Sequence, residues 1–319
     1  MGEKFQLHYN KPWIMQRADP YIYRHVDGVY YFTASVPTYD SIVLRRSYTL
    51  EGLQTAEEKE IWHKHESGIM SEHVWAPELH YLDGKWYIYF AASDVNDVWS
   101  LRPYVLECAD VDPVTGKWTE LGMMQKAADD EFSFENFSLD GTVFENQGRR
   151  YYVWAEKVGV GSQISNLYIG ELETPNKLKT VQVLLTTPDY DWERRVLWVN
   201  EAPGVIRHND RIFLTYSASN TGVHYCIGML SINEKENLLD PHSWEKERNP
   251  VLSSDADRGI YGPGHNTFTK DEEGNDIMVY HARTESVITG EPLYNPNRHT
   301  MLMKIRWSKD GRPVFSYEA

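Results

Sequence analysis

The alternation of apolar and polar positions along the chain repeats one phrase five times. Each phrase is a short strand-like stretch, a turn centred on Gly, Asn or Asp, and a run of aromatic and β-branched residues. Asp19-Pro20-Tyr21-Ile22-Tyr23-Arg24-His25 turns at Asp27-Gly28 into Val29-Tyr30-Tyr31-Phe32-Thr33-Ala34-Ser35. Trp75-Ala76-Pro77-Glu78-Leu79-His80-Tyr81 turns at Asp83-Gly84 into Trp86-Tyr87-Ile88-Tyr89-Phe90-Ala91-Ala92. Leu139 to Phe144 turns at Gln147-Gly148 into Tyr151 to Ala155, and Val199 to Arg207 turns at Asn209-Asp210 into Ile212 to Tyr216. Gly264 to Phe268 turns at Glu273-Gly274-Asn275 into Ile277 to Ala282. Large aromatic and β-branched residues suit a pleated surface, and such turns are hairpin chemistry.

A third strand is predicted after every pair: Ile42 to Arg46, Tyr104 to Cys108, Leu167 to Leu172, Tyr225 to Leu230 and Thr300 to Trp307. A fourth follows at Trp118 to Leu121 and at Lys179 to Leu185, and the tail Pro313 to Tyr317 is expected to supply the last outer strand. Four-stranded antiparallel units at a long, slightly irregular period predict an all-β fold, a five-bladed β-propeller with its blades around a central channel. A β-sandwich would space its strands without this higher-order repeat. Almost no segment keeps a 3.6-residue apolar period, which counts against an α/β barrel. The five units use up the chain, so residues 1–319 are expected to form one domain.

Composition adds two constraints. Eleven Trp and 21 Tyr fit β structure and the stacking of saccharides better than a helical bundle. A net charge of −15 argues against a nucleic-acid partner, since phosphate contacts need clustered Lys and Arg. Met1 to Gln6 lacks the apolar core of a signal peptide, and no apolar run approaches a transmembrane length, so no membrane partner is expected. Cys108 and Cys226 fall in predicted strands and read as reduced, buried thiols. Together these features lead to the expectation of a cytoplasmic location.

Counting back about eight residues from each turn gives Asp19, Trp75, Asp140, Glu201 and His265, read as equivalent positions around one channel mouth. Acids held that close shift one another's pKa values apart. Two carboxylates in opposite protonation states are the requirement of glycoside hydrolysis. Trp75 suits stacking on a sugar face, with packing between units as its ordinary role. His265 is either a core histidine or a holder of water or a cation. Glu78 is a further candidate for the channel. The segments Val36 to Asp40, Val95 to Arg102 and Val287 to Arg298 are expected to be loops that shape a pocket, with Tyr39, Asp40 and Trp99 as substrate contacts. His63-Lys64-His65 has no zinc spacing, and Gly159-Val160-Gly161 has neither the Lys nor the helix of a phosphate cradle.

Five motifs, one per unit, carry a resemblance: Arg17 to Ile22, Trp75 to Glu78, Ser138 to Thr142, Asn200 to Gly204 and Gly262 to Asn266. In this order they resemble family 43 of the glycoside hydrolases, the five-bladed propeller arabinofuranosidases, arabinanases and xylosidases, from about Asn10 to Trp307. The resemblance implies Asp19 as general base, Glu201 as general acid and Asp140 as the residue that tunes and orients Glu201. It implies no cofactor for the chemistry, a hydrated cation, often calcium, near His265, and Arg283 close to the catalytic centre. Tyr30 to Ser35 and Trp86 to Ala92, with Ser71-Glu72-His73, look most like the single-domain α-L-arabinofuranosidase branch. The expected activity is inverting, exo-acting release of terminal L-arabinofuranose from arabino-oligosaccharides derived from arabinan. A β-xylosidase or bifunctional enzyme is the nearest alternative. A non-catalytic saccharide-binding propeller is the alternative of another class, and three mutually repelling acids argue against it. Oligomeric state stays open.

Overall fold

The computed structural model describes residues 11–157 and 164–318; Met1 to Gln6 and Gly159-Val160-Gly161 lie outside them. Every predicted strand pair is present. The first unit contains β1 (Ala18–Arg24), β2 (Tyr30–Ser35), β3 (Ser41–Ser47) and β4 (Lys59–His63), paired in that order. The second contains β5 (Glu72–Leu82), β6 (Lys85–Asp94), β7 (Asp97–Cys108) and β8 (Trp118–Met123), again in chain order. The third contains β9 (Ser138–Asn146), β10 (Arg149–Lys157) and β11 (Ile164–Thr174), with β12 (Lys177–Leu178) and β13 (Val183–Thr186) both on β11. The fourth is β14 (Trp198–His208), β15 (Arg211–Ala218), β16 (Cys226–Asn233) and β17 (Glu245–Lys246). The fifth is β18 (Tyr261–Lys270), β19 (Asp276–Arg283) and β20 (His299–Lys304), followed by a ribbon of β21 (Arg306–Trp307) and β22 (Pro313–Val314).

Four details depart from the expected pattern. The tail strand β22 pairs with β21 and not with β20, because the chain breaks step at Ile305. The free edge of β20 is met instead by the N-terminal segment, where Ile14 bridges Thr300. A short parallel contact of Ile164 and Ser165 with Trp198 and Val199 joins the third unit to the fourth. Val95 to Arg102 is also mostly strand, since β7 already starts at Asp97.

The middle strands explain the aromatic runs. β2 is buried along its whole length, and β6, β10, β15 and β19 are buried through most of theirs. A strand covered on both faces reads as a nearly continuous apolar run. What covers them is the neighbouring unit. Tyr31 and Ile42 pack with Trp86 and Ile88 between units one and two, and Tyr89 packs with Tyr152 and Trp154 between two and three. Val153 and Ile169 meet Leu214 and Leu230, Phe213 and Met229 meet Met278 and Tyr280, and Val279 and Leu302 meet Phe32 and Ala34. The last cluster returns to the first unit. The first strands follow the same cycle, with β1 touching β5, β5 touching β9, β9 touching β14, β14 touching β18, and β18 touching β1.

Candidate active site

Each first strand contains at least one register irregularity, and within one on each strand sits a residue in the left-handed region: Asp19 (φ 51°), Ala76 (48°), Asp140 (54°), Ala202 (52°) and His265 (45°). Non-glycine residues rarely adopt this conformation, and it re-aims the strand where it enters the ring. These five are the equivalent positions. Trp75 and Glu201 come one residue earlier, beside Ala18, Leu139 and Gly264, and face Ala91 and Ser217 across the first hairpin. The turn count set these two level with Asp140, but Ala76, Asp140 and Ala202 are the residues that stand equally far before the turns at Asp83, Gln147 and Asn209. The prolines Pro20, Pro77 and Pro203, each directly after a left-handed residue, carry the signal that aligns them.

Polar side chains on the second strands pin the ring together. Ser35 Oγ accepts from the Ala76 N–H at 2.8 Å and donates to Asp19 Oδ2 at 2.6 Å. Ser217 Oγ accepts from the His265 N–H at 2.7 Å, and His281 Nδ1 accepts from the Asp19 N–H at 3.1 Å. A peptide N–H can only donate, so His281 carries its proton on Nε2 and is neutral; burial pushes its pKa down to about 4.

The pins bring the acids together with opposite protonation. Burial alone would raise the Asp19 carboxyl. The His265 charge, with Nδ1 3.2 Å from Oδ1, and Arg298, with Nη1 at 3.7 Å, outweigh burial and hold it well below the usual carboxylate range. For His265, burial works against a charge, but Asp19, Asp140 and Glu201 push its pKa up to about 9. Burial, reinforced by the Asp140 charge, raises Glu201 to about 8, although Tyr225 Oη donates to its Oε1 at 2.7 Å. Asp140 is raised to about 6 by burial, with the nearby His265 charge opposing. Near neutral pH the site thus holds an ionised Asp19 and a protonated Glu201.

A cavity of about 320 Å³ opens over these groups, lined by Asp19, Asp140, Glu201 and His265 together with Trp75, Tyr39, Trp99 and Arg298. All three segments expected to shape a pocket reach it, through Tyr39, Trp99 and Glu291 to Tyr294. Leu197, Val199 and Ser219 to Thr221 also line it and were not anticipated. Three candidates do not line it. Asp40 accepts from Thr38 Oγ1 at 2.6 Å outside the cavity. Glu78 lies two residues beyond the irregularity at Ala76, buried against His80 Nε2 at 2.9 Å. Arg283 is 1% exposed, and its guanidinium binds the carbonyls of Thr221, Pro292 and Asn297 and the Asn295 side chain, so it clamps loops beside the cavity. The arginine beside Asp19 is Arg298, which the sequence reading did not single out. Among the described residues no group of three or more His, Cys, Asp or Glu is arranged to hold a metal ion. His265 Nδ1 is engaged with Asp19, and no further ligands for the expected cation are grouped around His265 among the described residues.

The family model for glycosyl hydrolases family 43 matches residues 9–313. The chain belongs to this family. A family 43 relative from Streptomyces avermitilis, an extracellular exo-α-(1→5)-L-arabinofuranosidase, is 46% identical over 308 residues, 96% of this chain and 63% of that protein. A protein of the same description from Streptomyces chartreusis is 48% identical over 285 residues, covering 89% of this chain and 85% of that protein. The crystal structure of an α-L-arabinofuranosidase from Lactobacillus brevis matches with a TM-score of 0.91 at 50% identity, over 97% of this chain and 96% of that one. This family 43 chain therefore spans under two thirds of the S. avermitilis protein's length but nearly all of the L. brevis structure. The expectation of a cytoplasmic location is overturned, because both Streptomyces relatives are described as extracellular.

Proposed function

We propose that the protein is an inverting, exo-acting α-L-arabinofuranosidase that releases terminal L-arabinofuranose from arabino-oligosaccharides, built as one catalytic domain on a five-bladed propeller. The observation that carries this reading is the pair of carboxylates, Asp19 ionised and Glu201 protonated, in one cavity. Glu201 gives its proton to the glycosidic oxygen as the bond to C1 breaks, and the leaving sugar departs as an alcohol. Asp19 takes a proton from the water that attacks C1 from the opposite face. Asp140 keeps Glu201 protonated through its negative charge. The cyclic order of contacts supports the propeller, and the relatives' names support the arabinose specificity. The wall formed by Tyr39, Trp99 and Tyr294 supports a pocket that accepts a chain end.

The test is hydrolysis of 4-nitrophenyl α-L-arabinofuranoside, 4-nitrophenyl β-D-xyloside and linear arabino-oligosaccharides by the wild type, Asp19→Asn and Glu201→Gln. Each variant should lose about 10²–10⁴-fold in kcat on the oligosaccharides. Full activity in either variant sinks the assignment, and xyloside hydrolysis above arabinoside hydrolysis overturns the substrate. Early NMR spectra should show the inverted anomer of arabinose.

A further inference from the structure

The hydrogen bonds behind Glu201 run in one direction. They start at the His265 backbone N–H, which has no lone pair to offer and must donate. Ser217 Oγ receives that bond at 2.7 Å, which leaves its own proton for the neighbouring Tyr225 Oη. Tyr225 in turn donates to Glu201 Oε1 at 2.7 Å. Ser217 is 0% exposed and Tyr225 1% exposed, so bulk water does not compete for these bonds.

We infer that Tyr225 and Ser217 are positioning residues that hold the transferable proton of Glu201 on Oε2. This rests on the reading of Glu201 as the general acid. An oxygen that accepts from Tyr225 is a poor place for the carboxyl's own proton, so the proton sits on the other oxygen. That oxygen is the one left to meet the glycosidic oxygen. Without the relay, a protonated Glu201 could place its hydrogen on either side, and only one placement is productive.

The relay is locked in place by packing. The Tyr225 ring stacks on His281 with centroids 5.6 Å apart and planes within 8°. Its other neighbour is Gly264, the counterpart of Glu201 in the fifth unit, where a Cβ would lie 2.1 Å from Tyr225 Cε1. The missing side chain at Gly264 is thus the space that the tyrosine occupies.

The same bond acts during the reaction. When the Oε2 proton moves to the glycosidic oxygen and the C1–O bond breaks, the electron pair leaves with the alcohol and Glu201 becomes a carboxylate. The water that adds to C1 passes its proton to Asp19. At that point the Tyr225 hydrogen bond becomes charge-assisted and strengthens, so it favours the transition state over the ground state.

Tyr225→Phe, which keeps the ring and removes the donor, tests this on aryl α-L-arabinofuranosides of graded leaving-group acidity and on a linear arabino-oligosaccharide. On the oligosaccharide kcat should fall about tenfold or more, the scale of losing a hydrogen bond to a charged group. On the 2,4-dinitrophenyl glycoside, whose leaving group needs no proton, it should stay close to wild type. The alkaline limb of kcat/KM should move to higher pH, because the lost bond favoured the carboxylate. Ser217→Ala, checked for folding by its melting curve, should show the same dependence on leaving group in smaller measure. An equal loss on every substrate with an unmoved alkaline limb would assign Tyr225 a purely structural role and overturn the proposal. Glu201→Gln is the reference. A steep leaving-group dependence there, with none in Tyr225→Phe, leaves the acid standing and removes the relay. No dependence in Glu201→Gln itself removes the reading of Glu201 and the relay with it.

Discussion

His265 Nδ1 lies 3.2 Å from Asp19 Oδ1, joining the first strands of the fifth and first units. The pair links activity to stability through pH. His265 is raised to about 9 from its ordinary value, so its stabilising charge is fully present below about pH 6.5 and is lost as pH rises through 9. Asp19 is depressed, so its contribution is present above the ordinary carboxylate range and is lost only in strong acid. Thermal melts should show the wild type losing stability between pH 6.5 and 9, by on the order of 3 kcal/mol from His265 alone. In His265→Gln that loss should shrink. An unchanged slope would refute the charged state of His265.

Asp140 and Glu201 make a second pH prediction. Burial and then the Asp140 charge raise Glu201 to about 8, so Glu201 loses its proton above that pH. Removing the charge in Asp140→Asn should move the alkaline limb of kcat/KM to lower pH. The shift is opposite in sign to that of Tyr225→Phe, and measuring both profiles in one buffer series checks the two assignments against each other.

Arg283 should behave as a clamp and not as a substrate contact. Arg283→Met leaves the carbonyls of Thr221, Pro292 and Asn297 without their donor. The expected outcome is a loss of about 1–3 kcal/mol of stability and a raised KM, because Glu291 to Tyr294 no longer holds its place along the cavity. A fall in kcat at unchanged KM and melting temperature would show that Arg283 acts in the chemistry.

Trp99 tests the pocket wall. It is 53% exposed, packs against His73 at 5.4 Å, and lines the cavity. Truncation of so exposed a side chain should change stability by under about 0.5 kcal/mol. In Trp99→Ala, KM for an arabino-oligosaccharide should rise several-fold while kcat on the small aryl glycoside holds. Equal KM values on both substrates would remove Trp99 from substrate binding.

The repeat was readable in the sequence because the second strands are buried on both faces, and long aromatic runs such as Trp86 to Ala92 declare that directly. The three acids were readable because each stands in a motif at a first-strand start. What hydrophobic pattern does not encode is a break of register. The left-handed residues shift each first strand, and this placed Glu201 and Trp75 one step from Asp19 and Asp140. The same break moved Glu78 away from the cavity to pair with His80. Arg283 and Arg298 lie close in the chain, and only tertiary packing decides that Arg298 faces Asp19. The bridge between Ile14 and Thr300 joins two residues that carry no local sign of each other.

That bridge sets an order of events during synthesis. Asp19 is made well before His265 and Arg298, whose charges hold it ionised. Until the fifth unit docks on the first, Asp19 lacks both of those charges. The arrangement of the cavity is therefore completed only when the two units meet.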